Sequence, residues 1–429
     1  MNFLIALSLL PAPEPSPQPF PQTTTQTTPQ DALRLAEIER QIDVLSDELE
    51  AMRLGPGVID TDFTSRYGFG AGASGVYRIS EGVSVGGYGE LLYTDRQGGP
   101  NEADFLRGVL YAGYKFDDHW LFNSEYEFEH ATVSDNNDGG GDEAPGSVSV
   151  EFAFVEYRYN ENYGARAGLL LIPVGLTNEL HEPINFPSAN RPEVELQIIP
   201  TTWRENGVGV FGETENWSWR AYAVNGFDGA GFSAGGIRGG RQSGGQALAD
   251  DLALTGRVDY VGQEGLIAGI SGYYGGAGQN NAGFGTTTVS LIEAHVDWRY
   301  RGLRTRALGV LGTVDDVQEL NAAQGFTGNQ SVGEEQEGFY VEVSYDIAQH
   351  LGGAVAGELT PFFRYESLDT QADVPTGFTS NPANDEEFFV WGISWSPITR
   401  VALKADYVDA DNDAGTGQDL FRLTVGYVF

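Results

Sequence analysis

Little in this sequence could make or break a covalent bond. It holds no cysteine and five histidines, His119, His130, His181, His295 and His350. None sits in a G-x-S-x-G or H-E-x-x-H pattern, and His181-Glu182 lacks the second histidine of a zinc-binding helix. What the chain does place at regular spacing is charge. Glu125, Glu127 and Glu129 recur at every second residue, as do Glu293, His295 and Asp297, then Arg304 and Arg306, then Lys404 and Asp406. That spacing puts side chains on one face of a β-strand. Carboxylates and guanidinium groups presented in this way hydrate a surface, pair across neighbouring strands and orient polar molecules that pass them. Glu293, His295 and Asp297 could hold a metal on one strand face. Ordinary polar facing explains the triplet more simply, and no metal or cofactor is expected.

The residues between these charges are apolar. Phe339, Val341, Val343, Tyr345 and Ile347 alternate with Tyr340, Glu342, Ser344 and Asp346. Phe389, Trp391, Ile393 and Trp395 alternate with Val390, Gly392 and Ser394, and Val401, Leu403, Ala405 and Tyr407 with Ala402, Lys404 and Asp406. From Gly82 onward one unit recurs: an alternating segment, a short turn, a second segment, a long polar loop. Short turns are expected near Asp117-Asp118, Asn160-Glu161-Asn162, Glu213–Asn216, Gly262–Gly265, Arg301-Gly302 and Pro397–Thr399, with a longer connection from Ala348 to Glu358. Long loops are expected near 95–103, 133–146, 177–202, 227–250, 275–286, 314–336, 368–386 and 409–418. Seven connections on one side and eight on the other join sixteen strands.

That pattern predicts an all-β fold: a 16-stranded antiparallel transmembrane β-barrel, with 18 strands as the alternative. No run of 18 apolar residues follows the N-terminus, so no membrane-spanning helix is written here. Trp120, Tyr157, Tyr159, Trp217, Trp219, Trp298, Tyr300 and Trp395 lie near the short turns, where an interfacial girdle belongs. The last segment, Phe421, Leu423, Val425, Tyr427 and Phe429, is apolar at alternate positions. It resembles the signal by which barrels reach the outer-membrane assembly machinery. A soluble β-sandwich, the competing arrangement, would turn the apolar faces inward and leave the aromatic strand ends unexplained.

Alternation assigns an inward face. Glu90, Arg107, Glu125, Glu127, Glu129, Arg166, Arg220, Arg257, Glu293, Asp297, Arg304, Arg306, Glu342, Arg364, Lys404, Asp406 and Arg422 are expected to line the pore, with Arg299, Asp346 and Glu366 beside them. The two signs are nearly balanced. Opposed acidic and basic walls would set a transverse field that suits polar and zwitterionic solutes. Equally, these charges could pair with one another and only keep the lumen wet. A closed barrel of sixteen strands leaves an aqueous channel, so the function expected is passive diffusion of small hydrophilic solutes and ions across a bacterial outer membrane. A barrel enzyme finds no motif to support it.

The formal net charge is −37 and the lysines are two, Lys115 and Lys404, a balance that opposes nucleic-acid binding. Residues Phe3 to Leu10 fit a short signal-peptide core, giving a leader of residues 1–12 with cleavage after Ala12. Residues 13–30 read as a Pro/Thr/Gln-rich linker. Within 31–54, Leu35, Ile38, Ile42, Leu45, Leu49 and Met52 are spaced 3, 4, 3, 4 and 3, the seam of a periplasmic coiled coil. Residues 55–81 are expected to form a periplasmic connector, its strandlike piece Arg66 to Ile79 included, ahead of a barrel domain at 82–429. Three heptads are marginal alone, so the seam hints at an oligomer that supplies local concentration. It could also tether the barrel to the cell wall.

Several segments together carry a resemblance: Gly86-Gly87-Tyr88-Gly89-Glu90, then Arg166 through Leu176 into Asn178-Glu179-Leu180-His181-Glu182-Pro183, then Ile199 through Gly212. The set is similar to the phosphate-selective porin (O and P type) family. The resemblance implies a homotrimeric 16-strand outer-membrane porin whose partners are lipid, its own copies and small solutes or ions. It also implies that the third long loop, Thr177 to Thr202, folds into the barrel as a constriction. That loop carries Glu179, His181, Glu182, Arg191, Glu193 and Glu195, for which wall anchoring and solute contact stand as equal readings. The family's anion selectivity fits this chain poorly, because the expected outer loops carry Asp135, Asp138, Asp142, Glu143, Asp409, Asp411 and Asp413. If the heptad seam steadies an oligomer, deleting residues 31–55 lowers the temperature at which the oligomer dissociates on a semi-native gel. An unchanged temperature with unchanged envelope attachment removes both roles.

Overall fold

The computed structural model describes Arg40, Gln41 and residues 63–131 and 146–429. The expected leader, the linker and nearly all of the heptad seam lie outside the described residues; Arg40 and Gln41, within the seam's span, are helical. The strands are β1 (Gly82–Arg96), β2 (Glu102–Lys115), β3 (Trp120–Glu129), β4 (Val148–Arg158), β5 (Tyr163–Leu171), β6 (Arg204–Glu213), β7 (Trp217–Asn225) and β8 (Leu252–Tyr260). They continue as β9 (Leu266–Gly276), β10 (Thr288–Tyr300), β11 (Leu303–Val314), β12 (Glu335–Tyr345), β13 (Glu358–Asp373), β14 (Asp385–Ile398), β15 (Val401–Asn412) and β16 (Leu420–Val428).

These sixteen strands form one closed antiparallel barrel in sequential order, with β1 returning to β16. Eighteen strands are thereby set aside. Closure runs from Tyr88 opposite Val428 to Arg96 opposite Leu420, and Phe429 completes it by exchanging two backbone hydrogen bonds with Gly87, at 3.0 and 2.8 Å. A closed sheet leaves no edge, which a hydrocarbon environment demands because no water is there to satisfy one.

The alternation behaves as the periodicity predicts. Along β12 exposed and buried residues strictly alternate, with Phe339, Val341 and Val343 outside and Gly338, Tyr340 and Glu342 inside. The turn between β2 and β3 is set by Asp117, whose carboxylate accepts the N–H groups of His119 and Trp120 at 2.7 and 2.8 Å. Those donors hold its carboxyl below the usual carboxylate range. One irregularity breaks the count. Glu125 pairs with Phe152 and Tyr126 with Val150, so Glu151 is an extra residue between them. Glu151 and Phe152 are both buried. Such a bulge hides an inward carboxylate from any rule of two.

Among the described residues, two pieces of chain enter the barrel. One is the connection from β5 to β6, residues 172–203, with a short helix α2 (Val194–Gln197). The other precedes β1. Residues 63–79, part of the stretch expected to be a periplasmic connector, fold into the barrel's interior at the short-turn end, with a one-turn helix α1 (Gly75–Arg78). The Phe69 ring packs tilted on Phe152 at 5.0 Å and stacks on Phe154 at 5.3 Å, and Val76 is 1% exposed. Asn123 of β3 donates to the Ala73 carbonyl at 3.0 Å, and Lys115 of β2 to the Ile79 carbonyl at 2.9 Å. The helix α3 (Val317–Gln324) lies in the connection from β11 to β12.

Closure of the sheet generates a test. Removing Phe429 deletes both bonds to Gly87 at the seam, so the yield of heat-modifiable folded barrel should fall several-fold, while Phe429→Tyr should fold as the parent does. Equal yields from all three chains would show the seam insensitive to this residue.

Candidate functional site

The loop 172–203 is fastened at its neck by one side chain. Asn178 donates to the Ile172 and Trp203 carbonyls at 2.6 and 2.9 Å and accepts the Trp203 N–H at 2.6 Å. Trp203 is fully buried, with ring centroids 4.8 Å from both Phe227 and Tyr273. A second long connection, between β7 and β8, lies over the loop. Arg238 donates to the Leu196 carbonyl at 2.8 Å and also to that of Thr201, and Arg241 to those of Pro200 and Thr202, both at 2.8 Å.

Within the loop, most of the singled-out charges anchor it. Glu179 lies 2.9 Å from Arg220 and 4.0 Å from Arg257. His181 meets Glu125 at 3.1 Å. Glu182 accepts the N–H groups of Gly72 and Ala73 at 2.9 and 3.4 Å and the Tyr111 hydroxyl at 3.2 Å. Glu195 accepts the Thr177 N–H at 2.6 Å and the Tyr340 hydroxyl at 2.8 Å. Arg191 is buried near Arg107 and Tyr88, its Nε and Nη1 without hydrogen-bond partners, and Glu193 is half-buried within electrostatic reach of Arg422 and Arg364. At its tip the loop meets the far wall: Arg364 donates to the Ser188 hydroxyl at 2.6 Å, Lys404 to the Ser188 carbonyl at 2.9 Å, and Asp406 accepts the Ala189 N–H at 2.6 Å.

The wall charges expected inward do face inward, but most do not border open water. Arg107 is 2.8 Å from Glu90 and 3.7 Å from Glu127. Asp297 holds Arg304 and Arg306 at 2.6 and 2.9 Å. Arg364 bridges Glu342 and Glu366 at 3.1 and 2.7 Å, and Arg422 reaches Asp406 at 2.8 Å. Glu129 is half-buried at the long-loop end, accepting the Ser147 hydroxyl at 2.6 Å. Parity assigns the side a residue faces; it says nothing of what occupies that side, and here the loop and residues 63–79 cover it. A buried pair holds each partner tightly, because losing one leaves an uncompensated charge at a cost of about 3–5 kcal/mol.

Several partners escaped the sequence reading. Glu156 pairs with Arg166 at 3.0 Å, Glu151 with Arg204 at 2.9 Å, and Asp259 with Arg257 at 2.8 Å. The bulge conceals Glu151; Glu156 and Asp259 lay on recognisable inward faces and were discoverable by parity. Around His295 the arrangement is structural. Its two ring nitrogens face Asp259 and Glu293, each at 2.8 Å, and Ser271 hydrogen-bonds Glu293. Serine, imidazole and acid thus meet, yet the hydroxyl addresses a carboxylate and both ring nitrogens are engaged, so no nucleophile is activated. Among the described residues no group of three or more metal-ligating side chains is assembled.

Open space survives on two flanks of the short-turn mouth: about 700 Å³ lies between Tyr67 and Tyr77 and the turns that carry Glu161 and Glu213, and a second space continues inward. The second, of about 690 Å³, is bordered by residues 63–65 and Ala71 on one flank and by Arg299, Glu358 and Ser396 on the other. It shares Ile184, Arg299, Glu358 and Ser396 with a cavity of about 90 Å³ under the loop tip, along the β10–β14 wall. Residues 63–79 occupy the opposite side, against β2–β7.

No family model matches the chain. A protein of Aquifex aeolicus, described as uncharacterized, is 40% identical over 372 residues, spanning 84% of this chain and 83% of that protein. The chain belongs to that protein's family. Among solved structures, the loop L8 deletion mutant of OmpT, an outer membrane protein of Vibrio cholerae, aligns with a TM-score of 0.54 at 12% identity, covering 82% of this chain and all of that one. An anion-selective porin from Comamonas acidovorans gives 0.51 at 12% identity, covering 82% of this chain and 100% of its own. OmpF of Salmonella typhi, in complex with daunomycin, gives 0.50 at 11%, over 81% and 97%. The fold is that of the outer-membrane porins.

In this porin fold, residues 63–79 depend on small residues for their course. A Cβ added to Gly70 would lie 2.4 Å from the Glu182 carboxyl carbon, and one added to Gly72 would lie 2.9 Å from the Tyr111 ring and from Val428. The double variant Gly70→Val/Gly72→Val should therefore expel the segment and raise single-channel conductance at least twofold, as should deletion of 63–79. Unchanged conductance in both would mean that the segment does not obstruct ion flow.

Proposed function

We propose that this chain is a bacterial outer-membrane porin for passive diffusion of small hydrophilic solutes and ions. The observation that carries this reading is the water space inside a closed, charge-lined barrel, entering from the short-turn mouth along β10–β14 and reaching the loop tip at Phe186 and Pro187. The exposed apolar faces supply the lipid contact, and trimer assembly, delivery through the Phe429 strand and a periplasmic coiled coil that steadies or tethers the barrel complete the proposal. The route is far narrower than sixteen bare strands would leave. Passage along it requires the Ser188–Ala189 tip to yield from Arg364, Lys404 and Asp406.

The phosphate-channel reading needs arginines that an anion can reach. Here Arg107, Arg166, Arg220, Arg257, Arg304, Arg306, Arg364 and Arg422 each have a carboxylate partner, and Arg299, which borders the route without an ion pair, stands within electrostatic reach of Glu358. Exposed Glu335, Glu337, Asp409, Asp411 and Asp413 surround the long-loop end; Asp135, Asp138, Asp142 and Glu143 fall outside the described residues. Fixed charge of one sign at a mouth concentrates counter-ions at low salt. Planar-bilayer recording in a KCl gradient should therefore show cation preference, weakening as salt rises, with no block by added phosphate. Anion preference with phosphate block would replace this reading by the phosphate channel; no current from folded protein would remove both.

A further inference from the structure

The cavity under the loop tip has a composition that general polarity does not explain. It is roofed by Ile184, Phe186 and Pro187, and its walls present the hydroxyls of Ser344, Thr360 and Ser394. Arg299 of β10 is among the lining residues; its backbone N–H donates to the Gly265 carbonyl at 2.7 Å, but its guanidinium makes no ion pair or hydrogen bond among the described residues, with Glu358 within electrostatic reach. Asp346, 5% exposed, also lines the cavity and lies, like Arg299, within electrostatic reach of Glu358. Its Oδ1 accepts the N–H groups of Ala348 and Leu359 at 2.9 and 3.0 Å, which fixes the carboxylate, while its buried Oδ2 has no partner at all. A buried carboxylate oxygen without a donor is costly unless something supplies one.

We propose that this cavity is a binding subsite for a small zwitterion carrying both an ammonium and a carboxylate, of the α-amino-acid class. The ammonium would donate to Asp346 Oδ2, the carboxylate would face Arg299, and an aliphatic substituent would lie under Ile184, Phe186 and Pro187. A simple anion entering here meets Asp346 and Glu358; a simple cation meets Arg299 and Arg304. Only a molecule with both charges satisfies the two groups together. Arg299 and Asp346 lie on strands β10 and at the end of β12, two strand spacings or roughly 10 Å apart at the backbone, a gap that a long guanidinium side chain and a small solute can close. The subsite deepens the porin reading, since it sits on the proposed route and loads from the short-turn mouth. A site on a diffusion path must also release its solute, so its affinity should be weak, on the order of 1 mM.

Isothermal titration of the folded full chain in detergent tests this without requiring conduction. The probes are L-valine, isobutyrate, isobutylamine and glycerol. L-Valine should saturate, and the other three should bind at least tenfold more weakly. Asp346→Asn, which keeps an Oδ1 acceptor for the two backbone N–H groups, should weaken L-valine at least tenfold, and so should Arg299→Gln. Variants that retain the parent's heat-modifiable mobility are folded and count. No saturation by L-valine, equal binding of isobutyrate or isobutylamine, or unchanged affinity in both variants overturns the proposal. If the channel conducts while L-valine fails to bind, the subsite falls and the porin reading stands; if L-valine binds and no bilayer current is seen, the reverse holds.

Discussion

In a hydrocarbon slab every backbone donor and acceptor must find its partner within the protein, and this single requirement organises the molecule. Sixteen antiparallel strands meet it by returning β16 to β1, with Phe429 and Gly87 completing the last rung. Once the sheet is closed, each strand has one face for lipid and one for the interior, and the alternation of Phe339, Val341 and Val343 with Tyr340 and Glu342 follows. The aromatic residues gather at the short-turn rim for the same reason, being apolar in body and polar at the edge.

Closure creates a second constraint inside. A ring of sixteen strands is too wide for its own side chains to fill, and the chain fills much of it by folding two segments inward. Charges covered by these segments lose water and need partners. That need explains the pattern of contacts: Glu179 on Arg220, His181 on Glu125, and Asp406 and Arg364 on the Ser188–Ala189 tip. The residues by which the sequence resembles a porin family, Asn178, Glu179, His181, Glu182 and Trp203, are the ones that fasten the loop. Motif similarity here reports loop architecture more directly than it reports a transported solute.

The two inserts divide the lumen unequally. Residues 63–79 pack beside β2–β7 under Glu182, leaving open space toward the β4–β5 and β6–β7 turns, while the space that reaches the loop tip lies beside β10–β14. The neutralised arginines on the one side and the unpaired groups on the other, Arg299 and Asp346, give the two halves different electrostatic character.

Strand number, the identity of inward and outward faces and the short-turn girdle were legible in the sequence, because a period of two and the asymmetry of turn lengths are local signals; the entry of the third long loop was implied only by the family resemblance. Glu90, Arg107, Glu293, Glu342 and Asp406 could be assigned to the interior on that basis alone. Glu151 could not, since a one-residue bulge against β3 turns it inward out of phase. Nor could the course of residues 63–79, read as part of a periplasmic connector, because its Gly70, Gly72 and Phe69 make sense only against Glu182, Tyr111, Phe152 and Phe154, which lie dozens of residues away in the chain. What the sequence by itself determined is the wall. What only the tertiary structure decided is the contents of the lumen, since side-chain alternation specifies which way a residue points and long-range packing specifies what it meets there.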